Sequence, residues 1–368
     1  MQRGFLWLSV LLALYVSGFA CATVEPLAPG DAKHSPHIAL LLPLKSAAFG
    51  SAAEAVRQGF QAAAELEMQQ PGGLPVRVYS CFDDSKDIVT LYRQAVAAGA
   101  RAVVGPLTRA GAGTLAAEKD IPVPTLALNV VEDPPAKQLY FFGMAVEAEA
   151  RQVAQLSRQR GSRLAIVIAT RTQLAKRLQF AFEEEWQRLG GVVLHEIEFD
   201  NDPAVFAKIA DLPDTAVFLA TDAKEAQLIR PYLPNKLPIY ATSQIFTGNG
   251  NTLVNYDLNG VRFVDMPWLL QADHPAVMVY PRPAQPLSAD HERLYALGID
   301  AFRLVQLLLA GKVDDALPLD GVSGRIELDE HVFQRMAAPA VFVQGQTQFR
   351  NAQSSPALQA FPQTTGKP

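Results

Sequence analysis

The chain has 368 residues, of which 49% are apolar and 19% charged, and its net charge is −5 at neutral pH. This length is too great for one simple core and suits two lobes, and the composition indicates that most of the chain buries apolar surface. The negative charge, with no cluster of Lys and Arg mixed with aromatics, argues against nucleic acid as a partner.

The first residues are typical of an export signal. Arg3 supplies a short positive region, and the apolar stretch FLWLSVLLALYV that follows is too short for a comfortable membrane span. SGFAC then resembles the box of a bacterial lipoprotein signal, although Gly18 stands where such a box usually has Leu. We therefore predict a signal peptide over 1–20 and lipidation of Cys21, with an ordinary secretory cleavage near Ala20 as the alternative.

The second cysteine, Cys81, lies in VRVYSCF, which reads as a buried strand. We predict a buried free thiol there, because lipidation of Cys21 leaves Cys81 without a partner, and the alternative is a disulfide between the two. Residues 21–36 are rich in Pro, Ala and polar residues and are predicted to be a lipidated N-terminus and flexible tether, and residues 350–368 a disordered tail.

Between these ends, aliphatic strands alternate with helical patterns, which predicts parallel sheets covered on both faces. The strands of the first series are HIALLLPL, PVRVYSCFD, RAVVGPL and PVPTLALN. The first helix between them, SAAEAVRQGFQAAAELEMQ, places Ala53, Val56, Phe60 and Ala63 on one face. A second series runs from EAEARQVAQLSRQRG through SRLAIVIAT, VVLHEIEFD and TAVFLAT to LPIYATS, and predicts a second α/β lobe.

The last third of the chain returns to both lobes. GVRFVDMPWLL reads as one strand that crosses between lobes, SADHERLYALGIDAFRLVQLLLAGK as a long helix, and GVSGRIELDEHVFQRMAAPAVFVQGQ as two antiparallel strands joined by a turn. We predict a first lobe of residues 37–145 with 268–318 and a second lobe of residues 146–267 with 319–349. A crevice would lie between them.

This order of elements resembles the type I periplasmic-binding fold of the leucine-binding-protein superfamily, over residues 37–349. Four stretches, IALLLPLKSAAFGSAAEAVRQGFQAA, AVVGPLTRAGAGTLA, IPVPTLALN and GVSGRIELDE, are similar to penicillin-binding protein activators of the LpoA type. That family consists of outer-membrane lipoproteins that stimulate a peptidoglycan synthase. Its long members carry a helical-repeat domain first, whereas only a short tether precedes His37 here, so the chain resembles a single-domain member.

No catalytic or metal-binding set stands out. The six His residues are scattered without Cys or carboxylates at metal-ligand spacing, no G-x-S-x-G elbow occurs, and GPLTRAGAG lacks the ending of a phosphate-binding loop. We predict a protein that is not an enzyme and that needs no metal or cofactor.

The carboxyl ends of the predicted strands are the places where a parallel sheet meets a ligand. Short polar side chains stand there, and the candidates for the crevice are Ser46, Thr108, Asn129, Thr170, Asp222 and Ser243. They suit a small polar ligand, and the helix N-termini suit a carboxylate. They equally suit helix capping, so both interpretations stay open. Asp84 and Asp222 are the candidates for a ligand ammonium group.

Two further stretches are candidate partner surfaces, MPWLL (266–270) and the proline-rich VMVYPRPAQP (277–286). The alternative is that Trp268 belongs to the core and that the loop is merely irregular.

The resemblance implies a lipid-anchored protein on the periplasmic face of the outer membrane that binds and activates a penicillin-binding protein. Ala22 after the cysteine, rather than Asp, favours the outer membrane by enterobacterial sorting habits. The alternative is a lipid-anchored receptor for a branched-chain amino acid or similar molecule that feeds an ABC transporter, and a small-molecule ligand in the crevice is left open.

Overall fold

The computed structural model describes residues 34–68, 72–132, 136–210, 212–250 and 252–349. The predicted signal peptide, Cys21, most of the tether and the tail after Phe349 lie outside these ranges. Within them, each helix is too short or too polar to span a bilayer.

The strands, in chain order, are β1 (His37–Leu42), β2 (Val76–Ser80), β3 (Ala100–Val104), β4 (Thr125–Ala127), β5 (Leu139–Phe142), β6 (Leu164–Ala169), β7 (Val192–Glu198), β8 (Thr215–Ala220), β9 (Ile239–Ala241), β10 (Arg262–Asp265), β11 (Leu319–Asp320), β12 (Arg325–Asp329), β13 (Val332–Met336), β14 (Ala338–Val343) and β15 (Gln346–Phe349).

The helices are α1 (Gly50–Glu67), α2 (Asp84–Ala97), α3 (Arg109–Ala116), α4 (Val146–Gln159), α5 (Gln173–Arg188), α6 (Ala223–Ile229), α7 (Thr252–Tyr256), α8 (Pro267–Leu270), α9 (Pro275–Met278), α10 (Ala289–Ala310) and α11 (Val313–Ala316). A 3-10 helix over Pro203–Lys208 follows β7.

Two sheets organise the described residues. The first has the order β11-β12-β13-β5-β4-β3-β1-β2 and the second the order β15-β14-β10-β9-β8-β6-β7. Each is parallel through its centre and antiparallel at one end, where β12 returns on β13 in the first sheet and β14 on β10 in the second. The predicted architecture of two mainly parallel sheets flanked by helices is confirmed.

We predicted that residues 319–349 belong to the second lobe, and this is wrong for residues 319–336. Strand β13 pairs in parallel with β5, so β11, β12 and β13 belong to the first lobe, and the chain crosses to the second lobe only at Ala337. The turn between β12 and β13 lies at Glu330, whose φ is 51°. The predicted crossing strand GVRFVDMPWLL also ends early, at Asp265, because Pro267 begins α8.

Apolar residues cover both faces of each sheet. In the first lobe, α1 and α10 pack on one face and α2 and α3 on the other, whereas α4 and α5 cover one face of the second sheet. Helices α1 and α10 touch through glycines. A methyl group on Gly59 would lie 1.9 Å from the carbonyl oxygen of Tyr295, and one on Gly298 would lie 2.2 Å from that of Val56.

Three links join the lobes within the described residues. The first runs from β5 to α4, the second follows β10 through α8 toward α10, and the third is Ala337, between β13 and β14. Their positions matter for the crevice, because any movement of one lobe against the other must bend all three.

Candidate functional site

A cavity of about 690 Å³ opens at the carboxyl ends of the first-lobe strands. Its size is within the range of small-molecule pockets. The wall is mainly apolar, and its larger members are Phe49, Phe82, Leu107, Leu128, Leu294 and Leu297. Of the predicted site residues, the structure brings Ser46, Thr108 and Asn129 to this cavity and leaves Thr170, Asp222 and Ser243 outside it.

Asp84, one of the two candidates for a ligand ammonium, lies in the cavity wall but is buried and accepts three hydrogen bonds from the protein. Its Oδ2 accepts hydrogen bonds from the backbone nitrogens of Leu107 (3.2 Å) and Thr108 (3.0 Å), and its Oδ1 accepts one from the Thr108 hydroxyl (2.6 Å). The carboxylate therefore ties the loop after β3 to the start of α2. Few of its lone pairs remain for a ligand.

The polar side chains beside Asp84 are engaged in the same way. The Thr108 hydroxyl caps α3 by accepting a hydrogen bond from the Gly111 nitrogen (3.0 Å), and the Ser46 hydroxyl accepts one from the Phe49 nitrogen (3.3 Å). The Asn129 amide donates to the carbonyl of Leu107 (3.1 Å) and accepts from the next backbone nitrogen (3.0 Å). These polar groups hold the loops in place. The surface that faces the cavity is largely formed by the apolar residues around them.

The three predicted residues of the second lobe are also engaged by protein partners. Asp222 forms a capping box with Glu225, whose carboxylate also accepts a hydrogen bond from the Thr170 hydroxyl (3.1 Å). Ser243 is buried, and its backbone nitrogen donates to Oε2 of Glu149 (3.1 Å). The structure thus separates these residues from the first-lobe cavity.

Two aromatic side chains at the mouth of the cavity were not among the predicted site residues. Phe49 precedes α1 and is 49% exposed, and Phe82 follows β2 and is 70% exposed. The Nζ of Lys45 lies 5.6 Å from the centroid of the Phe82 ring. The one signal in the sequence is an aromatic residue, Phe82, at the carboxyl end of the predicted strand PVRVYSCFD, where a polar residue would be the usual choice.

The candidate partner surfaces divide between core and exposed residues. Trp268 is fully buried, so the core interpretation is correct for that residue. The guanidinium of Arg282 stacks 3.9 Å from the Trp268 ring centroid and donates to the Trp268 carbonyl (2.9 Å), which anchors the proline-rich loop. Met278 and Val279 are exposed on this anchored segment.

The free cysteine of the described residues, Cys81, is not exposed. Cys81 is buried as predicted, and burial raises the pKa of its thiol to about 11, with Asp84 and its acidic neighbours adding to the shift. No group of three His, Cys, Asp or Glu residues in the described ranges is placed to hold a metal ion.

Comparison with known proteins gives one family match. The family model described as "LppC putative lipoprotein" matches residues 22–214 and 213–338. A curated relative named penicillin-binding protein activator LpoA, from Haemophilus ducreyi, is 28% identical over 305 residues, covering 79% of this chain and 50% of its own length. The chain thus spans about half the length of this relative.

Solved structures place the similarity in one domain. The LpoA C-domain from Haemophilus influenzae, described as a regulator of PBP1A, is 25% identical with a TM-score of 0.69, and the match covers 86% of this chain and 100% of the domain. A Chromobacterium violaceum protein named "putative branched-chain amino acid ABC transporter" is 39% identical with a TM-score of 0.72, over 83% of this chain and 100% of that one.

A leucine-binding protein from Thermotoga maritima is 18% identical with a TM-score of 0.55, over 86% of this chain and 98% of that one. At that identity the likeness concerns the fold alone. The type I periplasmic-binding fold predicted from the sequence is confirmed.

Proposed function

The chain belongs to the LppC lipoprotein family, and on that premise we propose that it is a non-enzymatic, lipid-anchored regulator that binds and activates a penicillin-binding protein, that is, a peptidoglycan synthase. The names of its curated relatives support this proposal. So does the complete overlap with the C-domain of a relative described as a regulator of PBP1A. The activity is proposed for this domain, since the curated relatives are about twice as long as the match.

The proposal includes an anchor and a location. Lipidation of Cys21 would hold the protein on the periplasmic face of the outer membrane, where the cell wall lies within reach of a bound synthase. The description of the family as lipoproteins and the SGFAC sequence support the anchor. The outer-membrane assignment depends on Ala22, which follows the cysteine.

The observation that carries the choice of function is the engagement of Asp84. A receptor for a free amino acid needs polar groups that face the ligand ammonium and carboxylate, because burying either charge unpaired is costly. Here the cavity carboxylate accepts three internal hydrogen bonds, and Thr108 and Asn129 bond to the neighbouring backbone. The receptor alternative has the support of the Chromobacterium violaceum likeness, but these contacts argue against it.

A reconstitution experiment tests the regulator. The full chain, purified in detergent, is added to each purified class A synthase from the same cell, and glycan polymerisation and peptide cross-linking are measured with and without it. We expect binding and faster synthesis with one synthase. No binding and no rate change with any class A synthase of that cell would contradict the proposal.

A ligand experiment tests the receptor alternative on the same protein. Thermal unfolding is followed with leucine, isoleucine, valine and soluble peptidoglycan fragments at millimolar concentration. A ligand present at 100 times its Kd stabilises the folded state by about 2.7 kcal/mol, which is easily measured. We expect no shift with the amino acids, and a saturable rise with one of them would favour the receptor.

A further inference from the structure

A buried network of four charged side chains connects the two lobes. We call Glu149, Asp265, Arg293 and Arg335 the interlobe latch. Each ion pair takes its arginine from the first lobe and its carboxylate from the second. Arg293 pairs with Asp265 (2.7 Å) and Arg335 with Glu149 (2.8 Å), and the side chains of all four are at most 6% exposed.

Arg293 holds the second lobe by several bonds at once. It lies on α10, which packs on the first sheet, and its guanidinium donates to both carboxylate oxygens of Asp265, at 3.0 and 2.7 Å. The same guanidinium donates to the carbonyls of Ser243 (3.0 Å) and Phe246 (2.8 Å). It also meets Asp290 on its own helix (2.7 Å), so its donors are directed at fixed acceptors.

Glu149 joins the second pair to the first. It lies on α4, and its Oε1 accepts from Arg335 on β13 while its Oε2 accepts from the backbone nitrogen of Ser243, whose carbonyl binds Arg293. One turn further along α4, the amide of Gln152 donates to the Ala337 carbonyl (2.7 Å) and accepts from the Ala337 nitrogen (3.0 Å). The link between β13 and β14 is thereby held to the second lobe.

Each of the three links between the lobes contacts this network. Glu149 lies in the first turn of α4, where the first link ends, and Asp265 lies where the second begins. Arg335 lies near the end of β13, just before Ala337, which forms the third link. A rotation of the lobes would move α10 against the ends of β9 and β10, and hydrogen bonds of this geometry weaken steeply when they are stretched or bent.

The charges of the latch are balanced inside the protein. Burial is the largest single influence on the pKa of Arg293, and it lowers that pKa. Asp265, Glu149 and Asp290 together outweigh it and raise the pKa above the ordinary value. Burial also raises the pKa of Asp265, and Arg293 opposes this shift. Separation of the pairs would leave buried charges without partners, which disfavours any lobe arrangement that breaks them.

We propose that the interlobe latch holds the lobes at one angle, so that the protein presents both lobes to a partner as one rigid surface and does not close around a ligand. The fixed angle of the lobes stands independently of the proposed function, and only its use toward a partner rests on that function. Its failure would leave activation of a synthase untouched, and failure of activation would leave the latch untouched.

The test measures the distance between the lobes in the full-length chain carrying Cys21→Ser. Spin labels are placed at the exposed positions Gln94 on α2 and Gln187 on α5, through Gln94→Cys and Gln187→Cys, while Cys81 is buried and stays unlabelled. Pulsed electron paramagnetic resonance then gives the distribution of distances. The native latch predicts a single narrow distribution that does not shift with leucine, and a broad or two-component distribution would overturn the proposal without any variant.

Variants of the latch sharpen the test. Arg293→Gln and, separately, Arg335→Gln should broaden the distribution or add a second component. Arg303→Gln is the matched control, because Arg303 also lies on α10 but pairs with Asp300 inside the first lobe (3.0 Å), and it should keep the native distribution. Circular dichroism verifies folding. If either folded latch variant retains the native narrow distribution, the latch does not set the angle.

Discussion

The carboxylate of Asp300 binds Ser323 through two hydrogen bonds. Its Oδ2 accepts one from the Ser323 nitrogen (2.7 Å) and another from the Ser323 hydroxyl (2.6 Å). Asp300 lies on α10 and is fully buried, and its Oδ1 accepts a further bond from the nitrogen of Val322. The contact holds the GVSG turn before β12 against the long helix. The motif that helped to reveal the family is therefore a structural one.

Replacing Asp300 should destabilise the protein. Asp300→Ala leaves the nitrogens of Val322 and Ser323 buried without acceptors, and we expect a loss of about 3 kcal/mol in the free energy of unfolding. Urea unfolding measures it. Asp315→Ala, at an exposed position on α11, is the control and should change the value by less than about 0.5 kcal/mol. Equal effects for the two variants would show that the buried contact contributes little.

The glycine contact between α1 and α10 gives a second prediction. Gly298→Ala places a methyl group against the Val56 carbonyl, so the helices must separate, and we expect a loss of about 2 kcal/mol. Gly113→Ala on α3 is the matched control, because the nearest atom to its new methyl group lies at 3.9 Å. There the higher helix propensity of Ala should stabilise by up to about 1 kcal/mol. The same sign for both variants would contradict the close packing.

Asp84, the carboxylate in the cavity wall, gives a third prediction. Asp84→Asn should lower the free energy of unfolding by about 2 kcal/mol, since the NH2 group that replaces one oxygen faces either the backbone nitrogens of Leu107 and Thr108 or the Thr108 hydroxyl, all of which donate to the carboxylate. Asp83→Asn is the control, because Asn caps a helix as well as Asp does. A stable Asp84→Asn protein would mean that the carboxylate is free for another role.

Cys81 should resist thiol reagents in the folded protein. Its pKa is raised to about 11, chiefly by burial, and the thiolate is the reactive form. In the Cys21→Ser chain at pH 8, we expect labelling by an aromatic disulfide reagent to be more than about 100-fold faster in 8 M urea than in buffer. Rapid labelling of the native chain would show that the thiol is accessible.

The acid side of the stability profile should depend on Glu185. Hydrogen bonding from Arg188 holds the pKa of this carboxyl below its ordinary value, with Gln155 adding to the shift while burial opposes it. A carboxyl with a lowered pKa contributes stability above its unfolded pKa, and that contribution is lost as the pH falls through the folded one. Glu185→Gln should therefore flatten the loss of stability below about pH 4.3 in urea unfolding at several pH values.

Glu183 on the same helix supplies the contrast to Glu185. Burial raises its pKa, so it contributes stability at low pH that is lost as the pH rises through the folded value. Glu183→Gln should therefore improve stability at neutral pH relative to acid. A similar response of both variants would show that local contacts do not determine the acid profile.

The fold was predictable because its strands carry a local signal. Every residue of His37–Leu42 is buried, as a continuous aliphatic run in a central parallel strand requires. The return of β13 to the first sheet was not predictable, because the pairing of Val332 with Phe141 spans about half of the chain. An alternating pattern says that a strand forms and does not say which sheet it joins.

The lining of the cavity was predictable only in part, since Ser46, Thr108 and Asn129 line it but Thr170, Asp222 and Ser243 do not. Residues at strand ends do line the cavity, but whether Thr108 or Asn129 serves a ligand or the backbone depends on partners a few ångströms away. The latch left no signal at all. Arg293, in SADHERLYALG, reads as one polar residue among several on the first turns of a long helix, and only the fold brings Asp265 to it.

The contact of Gly59 with Tyr295 shows where the shape of the first lobe is decided. The obstacle to a larger residue there is a backbone carbonyl, which no change of a neighbouring side chain can remove. The cavity lining, by contrast, is made of side chains such as Phe49 and Leu297, which can be exchanged one at a time. Divergent members of such a fold can therefore acquire new surfaces while their geometry is kept by positions that have no side chain to vary.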